Sequence, residues 1–339
     1  LGIEWRFSRT NGVTRMRFTK MHGTGNDFIV IDGLASQAEL DAGQVQWLCD
    51  RRLGIGADGL IVVRPSTDSE CLAFMDYRNA DGSIAEMCGN GVRCFAKFLV
   101  DCGYLPDGQR SLIAGTRAGN KAIRFEVDEQ GQMTQASVDM GEPCFAPALV
   151  PTTLAAAQTS GICGRWGQIV TEAVLGSLAD VRSQSGIEYG TLRFTCVNMG
   201  NPHAVCFLEE PTAGILGLSD SEFAIFARPL AEASEFPEQC NIEFVRVLAS
   251  NQNVEQGTKR ALFGGTVLSM RVYERGVGET MACGTGASAV AVAAALTGRA
   301  PRRSQVQLRG GVLDIDWRSD NHVLMTGPAK TVYQGEIAL

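Results

Sequence analysis

The sequence predicts an α/β protein built from two halves of like design. Three observations carry this. Short β-type apolar runs alternate with helical periodicities along the chain. A Cys-Gly-x-Gly turn leading into a helix occurs twice, beginning at Cys88 and at Cys283. The length, 339 residues, suits two domains at roughly 100–200 residues each.

In chain order, Phe28–Asp32 (FIVID) reads as a strand. Residues 38–53 place Leu40, Val45, Leu48 and Leu53 at helical spacing. Leu60–Pro65 and Cys71–Asn79 read as strands, the second alternating Leu72, Phe74 and Asp76 against Ala73, Met75 and Tyr77. A helix from about Gly89 to Cys102 has Val92, Phe95, Ala96 and Leu99 on one face and Gly103 at its end. Lys121–Val127 and Gln135–Met140 are the next strands. The second half repeats the outline. Arg193–Gly200 and His203–Leu208 flank a turn, and Asn241–Leu248 with Thr266–Glu274 form a hairpin joined by the polar stretch 250–260. A helix then runs from about Gly284 to Thr297 and stops at Gly298. It has no polar face, so it is expected to be buried all round. Residues 1–15 read as an N-terminal extension or remnant, with Met16 as the expected native start.

Composition excludes several classes. A chain that is 45% hydrophobic and 20% charged can bury a core and is not a disordered segment. A net charge of −7 argues against nucleic acid or an anionic membrane as partner. The longest near-continuous apolar run, Ala287–Leu296, is about half of the roughly 20 residues a membrane-spanning helix needs. The 11 cysteines cannot all pair, none are spaced for zinc, and there are three histidines, so no metal site is expected. Most thiols then read as small buried hydrophobes in a reducing compartment.

Cys88 and Cys283 stand apart. Each opens a helix, where unpaired N–H groups and the macrodipole favour an anion. Both effects are expected to lower a thiol's pKa and make it usable as base or nucleophile. The same N–H groups suit a carboxylate. One C-G-x-G turn could equally be a tight turn with a buried Cys; two in equivalent places favour the chemical reading. GIGADG (Gly54–Gly59) matches G-x-G-x-x-G, but it follows a helix and precedes a strand, the reverse of a dinucleotide site, and reads as a loop. Asn26, Asn201 and Asn241 are by themselves ordinary turn residues, and His203 an ordinary structural histidine. Glu274 and Arg275 read either as a surface ion pair or, for Arg275, as a fork for a carboxylate.

Four motifs, MHGTGNDF, RNADGS-x-x-x-MCGNGVRCFA, MGNPHAV and YERGVGET-x-ACGTGA, resemble those of the diaminopimelate epimerase family, in that order and over most of residues 16–339. The resemblance implies two pseudo-symmetric halves, each a mixed sheet or barrel wrapped around a central helix, with the active site in the cleft between them. It implies a first domain of residues 16–139 plus 326–339 and a second of 140–325. It assigns Cys88 and Cys283 as the catalytic pair. Asn26, Asn79, Asn201, Asn241 and Arg275 match substrate ligands, Asn241 in the loosest motif. Backbone around Gly89, Asn90, Gly284 and Thr285 matches a carboxylate cradle, and Glu274 and His203 match polar groups beside the thiols.

The activity so implied is interconversion of LL- and meso-2,6-diaminopimelate in lysine and peptidoglycan-precursor biosynthesis, by proton transfer between two cysteines without a cofactor. The partner is a small molecule; nucleic acid and membrane are not expected, and a homodimer is compatible with the pattern. The location is cytoplasmic, or the plastid for a plant or alga. A racemase of another amino acid, such as histidine or glutamate, would keep the thiols and change the distal pocket. A cysteine hydrolase with His203 as base would leave the second C-G-x-G turn unexplained. Residues 147–198 and 250–265 are longer than the family's usual pattern.

Overall fold

The computed structural model describes residues 8–10, 13–36, 39–155, 157–158, 168–175, 192–209, 212–248 and 266–339. They divide into two compact units, Leu1–Asp139 with Thr326–Leu339, and Met140–Met325. Residues 250–260, and much of the long 147–198 stretch, lie outside the described residues.

Unit 1 contains strands β1 (Ser8–Thr10), β2 (Val13–Gly23) and β3 (Asn26–Asp32), helix α1 (Ala42–Cys49), β4 (Gly59–Arg64), β5 (Ala73–Asn79), helix α2 (Gly89–Asp101), β6 (Ser111–Gly115), β7 (Lys121–Val127) and β8 (Met133–Asp139). Its pairings run antiparallel for β2–β3, parallel for β3–β4, antiparallel for β4–β5, parallel for β5–β6 and antiparallel for β6–β7. The last strand of the chain, Lys330–Ala338, pairs antiparallel with β2.

Unit 2 contains the short strands β9 (Ala157–Gln158), β10 (Gln168–Ile169) and β11 (Ala173–Val174), then β12 (Arg193–Asn198) and β13 (Pro202–Phe207). Helix α3 (Asp220–Ala231), β14 (Asn241–Leu248), β15 (Val267–Glu274), β16 (Gly278–Glu279) and helix α4 (Gly284–Leu296) follow. The remaining strands are β17 (Arg303–Leu308), β18 (Gly311–Trp317) and β19 (Val323–Pro328), the last of which runs on into the residues of unit 1 at Thr326. The order of unit 1 recurs: antiparallel β12–β13, parallel β13–β14, antiparallel β14–β15, parallel β15–β17, antiparallel β17–β18. In both units the helix behind the C-G-x-G turn lies between the two strands of the second parallel pair. The duplication read from two short motifs is therefore a duplication of strand pairing, and the mixed α/β class expected from the sequence is the class found.

The two central helices bury themselves by different means. In α2, Val92, Phe95, Ala96 and Leu99 are fully buried, as their spacing requires. Arg93 and Lys97 are also buried. Each is tolerated because it is bonded: Lys97 Nζ donates to the Met133 carbonyl at 2.6 Å and pairs with Asp101 at 2.7 Å. Helix α4 is small and apolar throughout and all of its residues except Thr285 are buried. The glycines after both helices, Gly103 and Gly298, have φ of 75° and 72°, the left-handed stop that favours glycine.

Three expectations need correction. The helix read over 38–53 covers Ala42–Cys49. Asp41 starts it with a capping box to Gln44, and the Asp50 carboxylate ends it by accepting from the backbone N–H groups of Arg52 and Leu53. Leu53 is left exposed. Residues 1–15 are not wholly outside the fold, because Ser8–Thr10 pairs with Val13–Arg15. The strand read over 135–140 begins at Met133.

Helix α3 was not read from the sequence. Ser219 and Glu222 form its capping box. Phe223 and Phe226 pack on Phe244 of β14, with ring centroids 5.7 and 5.3 Å apart. Arg271 lies 4.0 Å over the Phe223 ring and forks onto Glu279 with two bonds of 2.7 Å. Among the described residues no helix is long and apolar enough to cross a membrane.

Candidate active site

In unit 1 the site grows from a hairpin, a loop and a helix start. Strands β2 and β3 are joined by Thr24 and Gly25, both with positive φ (53° and 85°). A two-residue hairpin of this hand needs that geometry. Glycine adopts it freely; a β-branched threonine is strained there. Thr24 is held because its Oγ1 accepts from Arg93 Nη2 at 3.0 Å. The turn fixes Asn26 at the start of β3.

Cys88 is the N-cap of α2, with extended backbone (φ −137°, ψ 119°). Its Sγ lies 3.5 Å from Asn26 Oδ1, and Asn90 Nδ2 donates to the same oxygen at 3.2 Å. Asn26 Nδ2 donates to Asp58 Oδ2 at 2.7 Å. Arg93 Nη2 donates to Asn90 Oδ1 at 2.9 Å, and its Nη1 to the Gly89 carbonyl at 3.4 Å. Burial pulls the Arg93 guanidinium down to about 10, opposed by Cys94 and Cys88 beside it. Asp58 also accepts from Arg51, which forks onto Asp27 together with Lys20. Burial pushes the Asp27 carboxyl up, but bonds from Arg51 and Lys20 outweigh it and hold the group at about 2. Asn79, at the end of β5, is level with Gly59, and Gly59 with Phe28, so sheet register brings it to the same edge as Asn26. Its Nδ2 donates to Ser83 Oγ at 3.0 Å.

In unit 2, Cys283 caps α4 with nearly the same backbone (φ −122°, ψ 115°). The Gly286 N–H donates to its sulfur at 3.4 Å, and Thr285 Oγ1 lies 3.4 Å away. Glu274, nine residues before Cys283 as Asn79 is before Cys88, hydrogen-bonds to the thiol and accepts from Thr280. The expectation of a lowered thiol pKa is wrong for Cys283. Burial and the Glu274 charge push it well above the usual thiol range, and the bonds from Thr285 and Gly286 do not offset them. Burial likewise raises the Glu274 carboxyl.

His203, fully buried, is bonded through Nδ1 to Glu243 Oε1 at 2.6 Å and through Nε2 to Asn201 Oδ1 at 2.9 Å. Asn241 is buried and its side chain links backbone: Nδ2 donates to the Pro202 carbonyl at 2.9 Å and Oδ1 accepts from the Arg275 N–H at 2.8 Å. It sets the chain direction at Arg275, whose exposed guanidinium donates to the Glu238 carbonyl at 3.0 Å.

Each unit thus offers a cysteine at a helix start with backbone N–H donors beside it. Asn26, Cys88, Gly89 and Asn90 form one cluster; Asn201 and His203 join Glu243, and Glu274, Cys283, Gly284 and Thr285 meet at the start of α4. Sequence reading missed Asp58, Arg93 and Glu243. The available signals were an acid inside a Gly-rich loop, a cation on the apolar face of α2 and an acid inside the apolar strand NIEFV. Six other cysteines, at 49, 71, 94, 196, 206 and 240, are buried.

The diaminopimelate epimerase family model matches residues 18–146 and 195–332. The chain belongs to the diaminopimelate epimerase family. The diaminopimelate epimerase of Moorella thermoacetica is 40% identical over 326 residues, covering 96% of this chain and all of that one. The diaminopimelate epimerase of Leptospira biflexa is 37% identical with the same coverage. The chloroplastic diaminopimelate epimerase of Oryza sativa subsp. japonica is 37% identical over 94% of this chain and 79% of its own length. Among solved structures, a hydroxyproline epimerase from Agrobacterium vitis superposes with a TM-score of 0.58 at 15% identity, covering 99% of this chain and 93% of that one. That likeness shows that this chain shares the fold of that epimerase.

Proposed function

We propose that this chain interconverts LL- and meso-2,6-diaminopimelate, with Cys88 and Cys283 as the acid–base pair. The observation that carries the reading is the duplication of a cysteine N-cap, in matching backbone geometry, on two helices at the same place in two repeats of one strand order. Inversion at Cα needs a base on one face of the carbon and an acid on the other. One cysteine, as thiolate, removes the Cα proton; the other, as thiol, delivers its proton to the opposite face. The charge state of the pair is exchanged, and the reverse reaction exchanges the roles.

The Cα–H bond is a weak acid, so charge developing at the carboxylate must be met by donors already in place. The N–H groups of Gly89 and Asn90, and of Gly284 and Thr285, would supply them. Asn26, Asn79, Asn201 and Arg275 would hold the substrate's other polar groups, and Asn241 would position Arg275. The chemistry needs no electron-sink cofactor. The substrate is a free amino acid; a cytoplasmic location, or a plastid one for a plant or alga, fits the reducing conditions two free thiols require.

The test is incubation with LL- and with meso-diaminopimelate in D2O, following deuterium at Cα by NMR. Exchange and epimerisation are expected without added cofactor, and are expected to vanish in Cys88→Ala and Cys283→Ala. Turnover surviving either change would overturn the two-thiol reading. Turnover of histidine or glutamate in place of diaminopimelate would move the assignment to another racemase. Sedimentation distinguishes monomer from homodimer.

A further inference from the structure

Arg93 is fully buried in the second turn of α2, behind the Cys88 cap. Its Nη2 donates to Asn90 Oδ1 at 2.9 Å and to Thr24 Oγ1 at 3.0 Å. Its Nη1 donates to the Gly89 carbonyl at 3.4 Å and its Nε to the Pro328 carbonyl at 3.3 Å. These bonds join the start of α2, the β2–β3 turn and the end of β19. We propose that Arg93 is a positioning residue for proton transfer at Cys88: it fixes the direction of the amide chain, Asn90 to Asn26, that ends at the Cys88 sulfur, and its charge favours a thiolate there. This rests on the epimerase reading and adds a residue to it.

The direction follows from the two ends of the chain. A guanidinium only donates, and a carboxylate only accepts. Arg93 donates to Asn90 Oδ1, Asn90 Nδ2 to Asn26 Oδ1 at 3.2 Å, and Asn26 Nδ2 to Asp58 Oδ2 at 2.7 Å. Neither amide can turn over without setting donor against donor at Arg93 or acceptor against acceptor at Asp58. The Asn26 oxygen, 3.5 Å from the sulfur, therefore stays an acceptor. Packing leaves Arg93 little slack, since a Cβ at Gly23 would come within 3.1 Å of its Nη2 and 3.0 Å of the Asn90 carbonyl. The same Nη2 holds Thr24 in the positive-φ turn that places Asn26.

The charge acts on the same sulfur. The Asn26 oxygen suits a thiol that carries its proton, and a nearby cation suits the thiolate. A cysteine that is base in one direction and acid in the other must be able to hold both forms. Arg93 and Cys88 lie within each other's field, and the guanidinium, pulled down to about 10 by burial, keeps its charge at neutral pH. Burial pushes the neighbouring Cys94 thiol up to about 12, so it is neutral there and does not cancel that charge. Lys97 is paired with Asp101, and Asp27 and Asp58 are bonded to Arg51.

Arg93→Gln and Arg93→Lys test this in the full chain. Timed iodoacetamide treatment across pH, read by peptide mass spectrometry, follows Cys88 and Cys283 separately. In Arg93→Gln the Cys88 curve is expected to move to higher pH by about half a unit or more, with the Cys283 curve in place. Arg93→Lys keeps the charge and should hold the Cys88 curve near its wild-type position. A single Nζ cannot bond Thr24, Gly89, Asn90 and Pro328 together, so kcat/KM for diaminopimelate is expected to fall roughly tenfold in both variants. An unmoved Cys88 curve in Arg93→Gln, two curves moving together, or wild-type kcat/KM in Arg93→Lys would overturn the proposal. Neutron diffraction from crystals of the wild-type protein needs no variant. Deuterium is expected on Asn90 Nδ2 toward Asn26 and on Asn26 Nδ2 toward Asp58; either amide reversed would also overturn the proposal. The alkylation and diffraction readouts use no substrate, so their failure is distinct from failure of the deuterium-exchange test of the epimerase reading.

Discussion

Asn26 turns its amide oxygen, and not its nitrogen, toward the sulfur of Cys88, at 3.5 Å. The orientation is imposed from behind. The Asp58 carboxylate can accept only, so it draws the Asn26 Nδ2, and Asn90 Nδ2 donates to the oxygen that remains. An acceptor facing the sulfur suits a thiol that carries its proton. Asp58→Ala releases Asn26, and kcat/KM is expected to fall about tenfold, equivalent to ~1.4 kcal/mol of transition-state stabilisation. The thermal midpoint should move little, because the Asp58 side chain is 43% exposed. Unchanged kcat/KM would remove Asp58 from the site.

Cys283 should be the slower thiol to alkylate at neutral pH. Its raised pKa means that the thiolate appears only as pH rises well into the alkaline range. Glu274→Gln removes a neighbouring negative charge, lowers that pKa and should shift the rate-against-pH curve to lower pH. Peptide mass spectrometry after timed iodoacetamide treatment reads the two cysteines separately. A curve unmoved by the substitution would show that Glu274 does not govern the thiol.

Gly286→Ala places a Cβ 2.9 Å from Glu243 Oε1 and 3.3 Å from the Cys283 sulfur. Glu243 cannot withdraw, since it is buried and bonded to His203. A loss of about 1–3 kcal/mol of stability is expected, as for other overpacked positions, read from urea unfolding. Activity should fall with it because the displaced atoms belong to Cys283.

Stability should decline in alkali. Burial pushes the thiols of Cys94, Cys196 and Cys206 up to about 12. In the unfolded chain they ionise near the ordinary value of about 8.5. Below that value neither state loses a proton and stability is unaffected. Above it the unfolded state is favoured by up to ~1.4 kcal/mol per pH unit for each thiol, until the folded-state value is reached. Urea midpoints measured across this window should fall steadily, and Cys196→Ala should flatten the slope.

The two central helices were legible because each combines a glycine stop, a helical apolar spacing and a cysteine at the start. The site was legible where its residues sit in contiguous motifs: Asn26, Cys88 and Asn90 meet as their motifs imply. Asp58 was not, because the pattern of its Gly-rich loop says nothing of how far its carboxylate reaches, to Asn26 and Arg51. Glu243 was hidden because one acid in NIEFV carries no periodic signal. Helix α3 has apolar Phe223, Phe226, Ala227 and Leu230 at helical spacing, but Pro229 in its last turn reads as a breaker. Only the direction of the Cys283 thiol pKa departs from the sequence expectation, because helix-start donors are visible in sequence whereas burial is not.

The strand Lys330–Ala338 pairs along β2, and its Tyr333 sets its ring edge-on against Phe18, 5.8 Å between centroids. Ile337 packs on the cluster formed by Met16, Phe18, Ile29 and Ile31. Unit 2, by contrast, is one continuous stretch, Met140–Met325. On the ribosome, where domains made first usually fold first, the order is therefore inverted. The residues of the second unit are all made while the first still lacks the strand Lys330–Ala338, and β2 keeps an open edge until that strand is made.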